Sequence, residues 1–298
     1  MTDLASIGIA LVNGVANGML LFLAAVGLTL IFGVLGVLNF AHGSLYMLGA
    51  YFTFFLVTAS GPFAFFNGQF WLALLVAPLL VAVVGGVIER VLIRPIYDRD
   101  HEFQLLLTFA VVLVIDNAAR ILWGTDFRSI GVPAGLDFQV SLLGRGYPVY
   151  NLFLIAVGAV FALGMWLVFE RTRVGKMVRA AAQDRDIANA LGVNVPLLFT
   201  AMFVAGSVLA GLGGALSAPY QTIQPTMGES IIINSFVVVV VGGLGSFSGA
   251  LVGALLIGVV NSLAFLVAPA LQPVIPFVLM AIVLLSMPTG LFGREVTA

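Results

Sequence analysis

Apolar runs about as long as a bilayer crossing follow one another along almost the whole chain. What lies between them is too short and too sparsely charged to shell a soluble core. Only 8% of the 298 residues are charged and 61% are hydrophobic, against roughly 25% and under half in an ordinary soluble domain. Twelve Lys and Arg with 13 Asp and Glu cannot cover a water-soluble fold of this length, and the mean hydropathy is +1.17. The 34 glycines suit close helix contacts where no hydrophobic effect drives helices together. The sequence therefore predicts an all-α integral membrane protein, a single transmembrane domain over residues 1–298.

The net charge of -1 offers no basic surface for nucleic acid, and cysteine is absent, which removes disulfides and thiolate metal sites. Two histidines, His42 and His101, are too few for a histidine-built metal site. The opening Met1-Thr2-Asp3-Leu4 lacks a positive n-region, so the first apolar stretch is expected to stay as a membrane helix.

Candidate spans fall at roughly 7–33, 43–59, 70–93, 104–123, 150–170, 197–218, 231–246, 248–267 and 272–288. The pair near 237–258 is interrupted by Gly242-Gly243-Leu244-Gly245-Ser246. It reads either as a tight turn or as a broken, re-entrant element enclosed by protein. The expectation is a polytopic bundle of about 8–9 helices.

Eight of the 12 Lys and Arg residues sit in two loops, one with Arg90, Arg94 and Arg99, the other with Arg171, Arg173, Lys176, Arg179 and Arg185. Both loops should be cytoplasmic, with Gly124 to Val149 facing outward. With nine spans the N-terminus is outside and the end, Gly293-Arg294-Glu295, inside. The segment 171–196 is the longest polar stretch. Its Ala-rich run predicts a short helix over Ala180–Leu191, stopped by Gly192 with Pro196 just beyond. That helix is either a solvated connector or a docking element. Gly36, Leu38, Gly43 and Leu45 recur at an offset of 206 residues as Gly242, Leu244, Gly249 and Leu251, a pattern open to an internal repeat or to chance in Gly- and Leu-rich sequence.

Six stretches appear in order along the chain. They are Asn39-Phe-Ala-His-Gly-Ser-Leu-Tyr-Met-Leu-Gly-Ala-Tyr51, Glu89-Arg90 with Arg94-Pro95, Arg173-Val-Gly-Lys-Met-Val-Arg-Ala180, Leu191-Gly192-Val193-Asn194, Val241-Gly-Gly-Leu-Gly-Ser-Phe-Ser-Gly249 and Pro288-Thr-Gly-Leu-Phe-Gly293. Together they resemble the permeases of branched-chain amino acid ABC importers, specifically the shorter, LivH-like type. The resemblance implies an inner-membrane subunit that is not an enzyme and binds no cofactor of its own. It implies a second related permease, two cytoplasmic ATPase subunits that carry ATP and Mg, a periplasmic substrate-binding protein, and membrane lipid around the bundle. The implied cargo is a hydrophobic amino acid, although relatives of this type move urea, amides or aromatic acids. Asp116, Arg120 and the 124–149 loop belong to none of these motifs.

The residues themselves leave several roles open. Asn39, His42 and Tyr46 are polar groups between or within the first two spans, so they should face the bundle interior. There they either cap and brace the helix starting near Ala41 or contact cargo. Gly243, Gly245 and Ser246 could line the path with free backbone groups, or merely turn the chain. Asn261 and Ser262 either line the path or glue helices. Asp116 and Arg120 stand at i,i+4 and are expected to form an interfacial salt bridge. Ala180, Ala181, Asp184, Asp186, Ile187, Ala190, Leu191 and Gly192 are the candidate coupling contacts to an ATPase. No GxxxxGK[ST] loop occurs, so ATP would be hydrolysed by another chain. An ion-coupled carrier or channel is the alternative from another class, and Asp116 is its one carboxylate candidate within a span.

Overall fold

The computed structural model of the protein describes residues 3–97 and 99–293 as a helical bundle. Helices α1 (Leu4–Leu35) and α2 (Ala41–Val57) lead to α3 (Phe70–Ile88) and α4 (His101–Trp123). A two-stranded antiparallel hairpin follows (β1, Gln139–Leu142; β2, Arg145–Pro148), and then α5 (Val149–Arg171). Two short helices, α6 (Arg173–Gln183) and α7 (Arg185–Ala190), precede α8 (Val195–Ser217). The chain ends with α9 (Met227–Gly242), α10 (Phe247–Val267) and α11 (Ile275–Ser286). Six of these helices are long and apolar enough to cross a membrane, and α2, α9 and α11 are shorter apolar helices. All nine candidate segments are therefore helical among the described residues, the upper of the two expected counts.

The bundle is built around α1, whose helical span is 89% buried inside the protein, while the spans of α4, α5 and α10 leave most of their surface outward. In a soluble protein that exposed Leu, Val and Phe would be a liability; in lipid it is the required surface. Helices α1 and α10 run antiparallel through glycine contacts. A Cβ on Gly18 would stand only 2.9 Å from the Ala254 carbonyl oxygen, and the Ser262 hydroxyl donates to the Ala10 carbonyl at 2.7 Å. Ser262 thus joins helices.

The contacts define two ends. At one end lie the start of α1, the hairpin, and the ends of α8 and α10. Here Arg145 donates to Asp3 Oδ2 at 2.9 Å and to Ser6 Oγ at 3.0 Å. At the other end the two basic loops meet, as expected for loops on one membrane side: Tyr97 packs edge-on against Phe199, and Arg185 stacks over the same ring. The Arg294 and Glu295 of the expected cytoplasmic tail lie outside the described residues.

Asp3 caps α1 by accepting from the Ser6 amide at 2.8 Å. Its bonds to Ser6, with the Arg145 charge beside it, hold its carboxyl below the ordinary 3.8. The stabilisation is therefore complete above that unfolded value and disappears as pH falls through the lowered folded one. The expected result is a small melting-temperature deficit for Arg145→Ala at neutral pH that vanishes in strong acid and shrinks in high salt. A deficit that persists unchanged at low pH would mean Arg145 acts by something other than its ion pair.

The expected helix over Ala180–Leu191 is corrected: the chain breaks at Asp184. Asp184 is extended and its carboxylate accepts from the amides of Asp186 and Ile187, both at 2.9 Å, so it caps a new helix. Side-chain capping competes with helix continuation at such residues. The stop falls where expected. Gly192 adopts φ +88°, its amide bonds the Asn189 carbonyl, and the Val193 amide bonds that of Ala188, a paired C-terminal closure of α7.

Within the Gly242–Gly249 stretch, residues 243–246 form the four-residue turn between α9 and α10. The C-terminal segment closes over it: Leu291 and Phe292 donate their amides to the carbonyls of Val241 and Gly242 at 2.9 and 3.0 Å. Gly243 has φ +100°, and a Cβ there would sit 2.9 Å from Gly293 Cα. Two of the six motifs are thus one packed unit.

Candidate functional site

Near the hairpin end, α1, α2, α9 and α10 enclose a cavity of about 400 Å³. Its polar lining is Asn13 and Asn17 from α1, Tyr46 from α2, Asn234 from α9, and Asn261 and Ser262 from α10, with Tyr220, Gln221 and Gln272 at the connecting loops. Leu20, Leu21, Ile231, Ile257 and Phe265 supply the apolar part. No charged side chain is among the lining residues. Asn13 and Asn17 share one face of α1 at i,i+4, which is why one helix contributes two amides to the same space.

Several of these groups are held from behind. The Tyr147 hydroxyl of β2 donates to Asn13 Oδ1 at 2.9 Å, and Asn151 Nδ2 donates to the same oxygen at 3.3 Å. Burial holds the Tyr147 hydroxyl above its ordinary 10.0, so it stays a protonated donor at neutral pH. Burial raises Tyr220 as well. Tyr46 is 1% exposed, and its hydroxyl has no hydrogen-bond partner among the described residues. Buried polar atoms are seldom left so, and this one adjoins the cavity.

Of the expected path residues, the structure brings Tyr46, Asn261 and Ser262 to this cavity. His42 lies one helical turn below Tyr46, its Nε2 2.9 Å from the Ala24 carbonyl of α1. Asn39 caps α2, accepting from the Ala41 amide at 3.1 Å. Both are 1% exposed and line no part of the cavity. The chain from Gly36 to Phe40 thus turns back along α1, and α2 begins inside the bundle. Gly243, Gly245 and Ser246 sit at the other end of α1, where a Cβ on Gly33 would lie 3.0 Å from Gly245 Cα. They turn the chain there, and Ser246 caps α10 through the Gly249 amide at 3.1 Å.

The expected Asp116–Arg120 ion pair does not form. Asp116 is buried, and its Oδ1 accepts from the Ser44 hydroxyl of α2 at 2.8 Å. Arg120 stays exposed. The α2–α4 packing supplies a neutral donor at the buried carboxylate, so burial decides the partner rather than helix periodicity.

The coupling candidates divide between inside and outside. Ala181 is buried at 1% and Ala180 is partly covered, whereas Asp186, Ala190 and Gly192 are exposed. Ile187 and Leu191 are exposed at 59% and 77%. An apolar pair is therefore presented at the basic end of the bundle. Arg185 reaches the other way, donating to the Leu35 carbonyl at 2.7 Å, with its guanidinium 5.0 Å over Phe199.

Sequence reasoning missed Asn13, Asn17 and Asn234. The available signal was their chemistry, since amides inside apolar runs face the interior or a cavity. Among the described residues no group of three or more His, Asp or Glu could hold a metal.

The bundle thus carries an uncharged polar cavity at one end and basic loops at the other. Residues 10–284 match the family described as branched-chain amino acid transport system / permease component. The chain belongs to that family, and it is a multi-pass inner-membrane protein. It is 31% identical to the high-affinity branched-chain amino acid transport system permease protein BraD of Pseudomonas aeruginosa, over 95% of both chains. It is 30% identical to the corresponding LivH of Escherichia coli K12, over 95% of this chain and 94% of that one. The probable branched-chain amino acid permease LivH of Methanocaldococcus jannaschii is 29% identical over 93% and 89%. No solved structure matches.

Proposed function

We propose that this chain is the membrane-path subunit of an ATP-driven importer for small neutral amino acids with aliphatic side chains. The observation that carries this reading is the cavity of about 400 Å³ ringed by amides and hydroxyls over an apolar floor, with no charged lining residue. Such a lining binds a net-neutral solute without leaving a charge unpaired in low dielectric. The named cargo of the relatives in P. aeruginosa and E. coli points the same way. A second related permease would complete the path, and a periplasmic binding protein would deliver cargo at the hairpin end. Two cytoplasmic ATPases, holding ATP and Mg, would seat against Ile187 and Leu191 and drive alternating access.

Reconstituted alone in liposomes, the chain is expected to give no uphill uptake. With its partners and ATP it should accumulate leucine, with isoleucine and valine competing. Accumulation by the lone chain under a sodium or proton gradient would overturn the ABC reading. Uptake of urea or an aromatic acid with no competition from leucine would overturn the cargo alone.

A further inference from the structure

Two of the cavity's amides, Asn13 and Asn234, are oriented by bonds to the protein. An amide oxygen has two lone pairs, and that of Asn13 receives both the Tyr147 hydroxyl and the Asn151 amide. Those donors are 1% and 6% exposed, so this is an internal latch rather than a surface contact. The Asn13 NH2 is left turned from the hairpin, with no protein partner among the described residues, on a residue that lines the cavity. On two neighbouring helices an amide oxygen is left without a partner among the described residues. Asn234 donates one N–H to the Ser230 carbonyl at 2.9 Å, which leaves its oxygen without a partner among the described residues. The Asn261 oxygen is buried without a partner.

We infer that the cavity reads a zwitterion by its two ends. The Asn13 NH2 donates to the cargo carboxylate, the Asn261 and Asn234 oxygens accept from the cargo ammonium, and Tyr147 is the positioning residue that keeps Asn13 facing this way. The inference rests on the cavity being the cargo site and adds the polarity of binding. Neutral dipoles can do this without a buried counter-charge.

The test uses the whole importer in proteoliposomes, with labelled L-leucine as the probe. Asn13→Asp and Asn261→Asp are equal in size and add one negative charge each. Asn13→Asp keeps both accepted bonds but sets a carboxylate against the cargo carboxylate. Uptake at low leucine should fall at least about tenfold, as when a charge-assisted hydrogen bond becomes a repulsion. Asn261→Asp places its charge beside the ammonium and should keep uptake within about threefold. Tyr147→Phe removes the latch and touches no cargo. It should raise KM with little change in maximal rate and weaken the preference for leucine over isopentylamine, which lacks the carboxylate.

Equal loss in both Asp variants, or the reverse order, would overturn the polarity while leaving the cavity as the cargo site. No effect of either would overturn both. If Asn13→Asp fails to assemble with its partners, Tyr147→Phe decides: an unchanged preference over isopentylamine would overturn the inference.

Discussion

Gly43→Leu is expected to abolish recovery of folded protein from membranes. Gly43 lies in the first turn of α2, where its backbone touches that of Gly228 at the start of α9. A Cβ there would run into the Gly228 carbonyl oxygen and would stand 2.8 Å from Ile232 Cβ and 3.0 Å from Gly228 C. Ordinary overpacking costs about 1–3 kcal/mol because side chains shift to make room. Here most of the obstacle is backbone, and both helix starts are fixed inside the bundle. His42, one residue away, is bonded to α1, and Ser44 holds Asp116 of α4. Separating α2 from α9 would break those contacts together, and the loss exceeds what a membrane protein of ordinary stability tolerates. Gly164→Leu is the control, since nothing lies within 4 Å of a Cβ at that position on α5. Yield and monodispersity after extraction give the readout. Gly43→Leu with the yield and melting temperature of Gly164→Leu would show that the α2–α9 contact is not close-packed.

The second large effect is expected at Arg185. Arg185→Met should leave the importer assembled and hydrolysing ATP while uptake falls at least about tenfold. The guanidinium bonds the Leu35 carbonyl, one of the unpaired carbonyls at the end of α1, where a cation also meets the favourable end of the helix dipole. It covers Phe199 of α8, and that ring meets Tyr97, whose hydroxyl donates to the buried Glu89 at 2.7 Å. One side chain thus joins α7 to α1, to α8 and to the end of α3. A hydrogen bond from a charged group is worth about 1.5–3 kcal/mol, less where it is part-exposed as here. Ile187 and Leu191 face outward on the same short helix and are untouched, so docking of an ATPase should survive. Arg185→Lys keeps the charge but not the planar fork and should rescue only in part. Normal leucine uptake by Arg185→Met would show that motion of α7 enters the bundle by another route.

Asp184 shows why position along the chain is not enough to choose such a probe. In the sequence it looked like an interface charge; in the fold its carboxylate holds the start of α7. Substituting it would cost about 1 kcal/mol of helix cap before any partner was considered. Asp186, exposed on the same turn, is the cleaner site for a charge reversal.

The sequence by itself determined the membrane class, a bundle of eight or nine apolar helical segments, the loop end marked by basic residues, the stop at Gly192, and the resemblance to a permease family. Each of these depends on local composition and spacing, because lipid demands apolar length and helix ends demand particular caps. Only the tertiary structure decided which polar residues share a space. Asn13, Asn234 and Asn261 are separated by more than two hundred residues from first to last and meet because α1, α9 and α10 pack through glycines. Asp116 found Ser44 rather than Arg120 because α2 packs against α4 there. Hydrogen-bond partners inside a bilayer are set by which helix faces meet, and that geometry follows from long-range backbone contacts that no local pattern records.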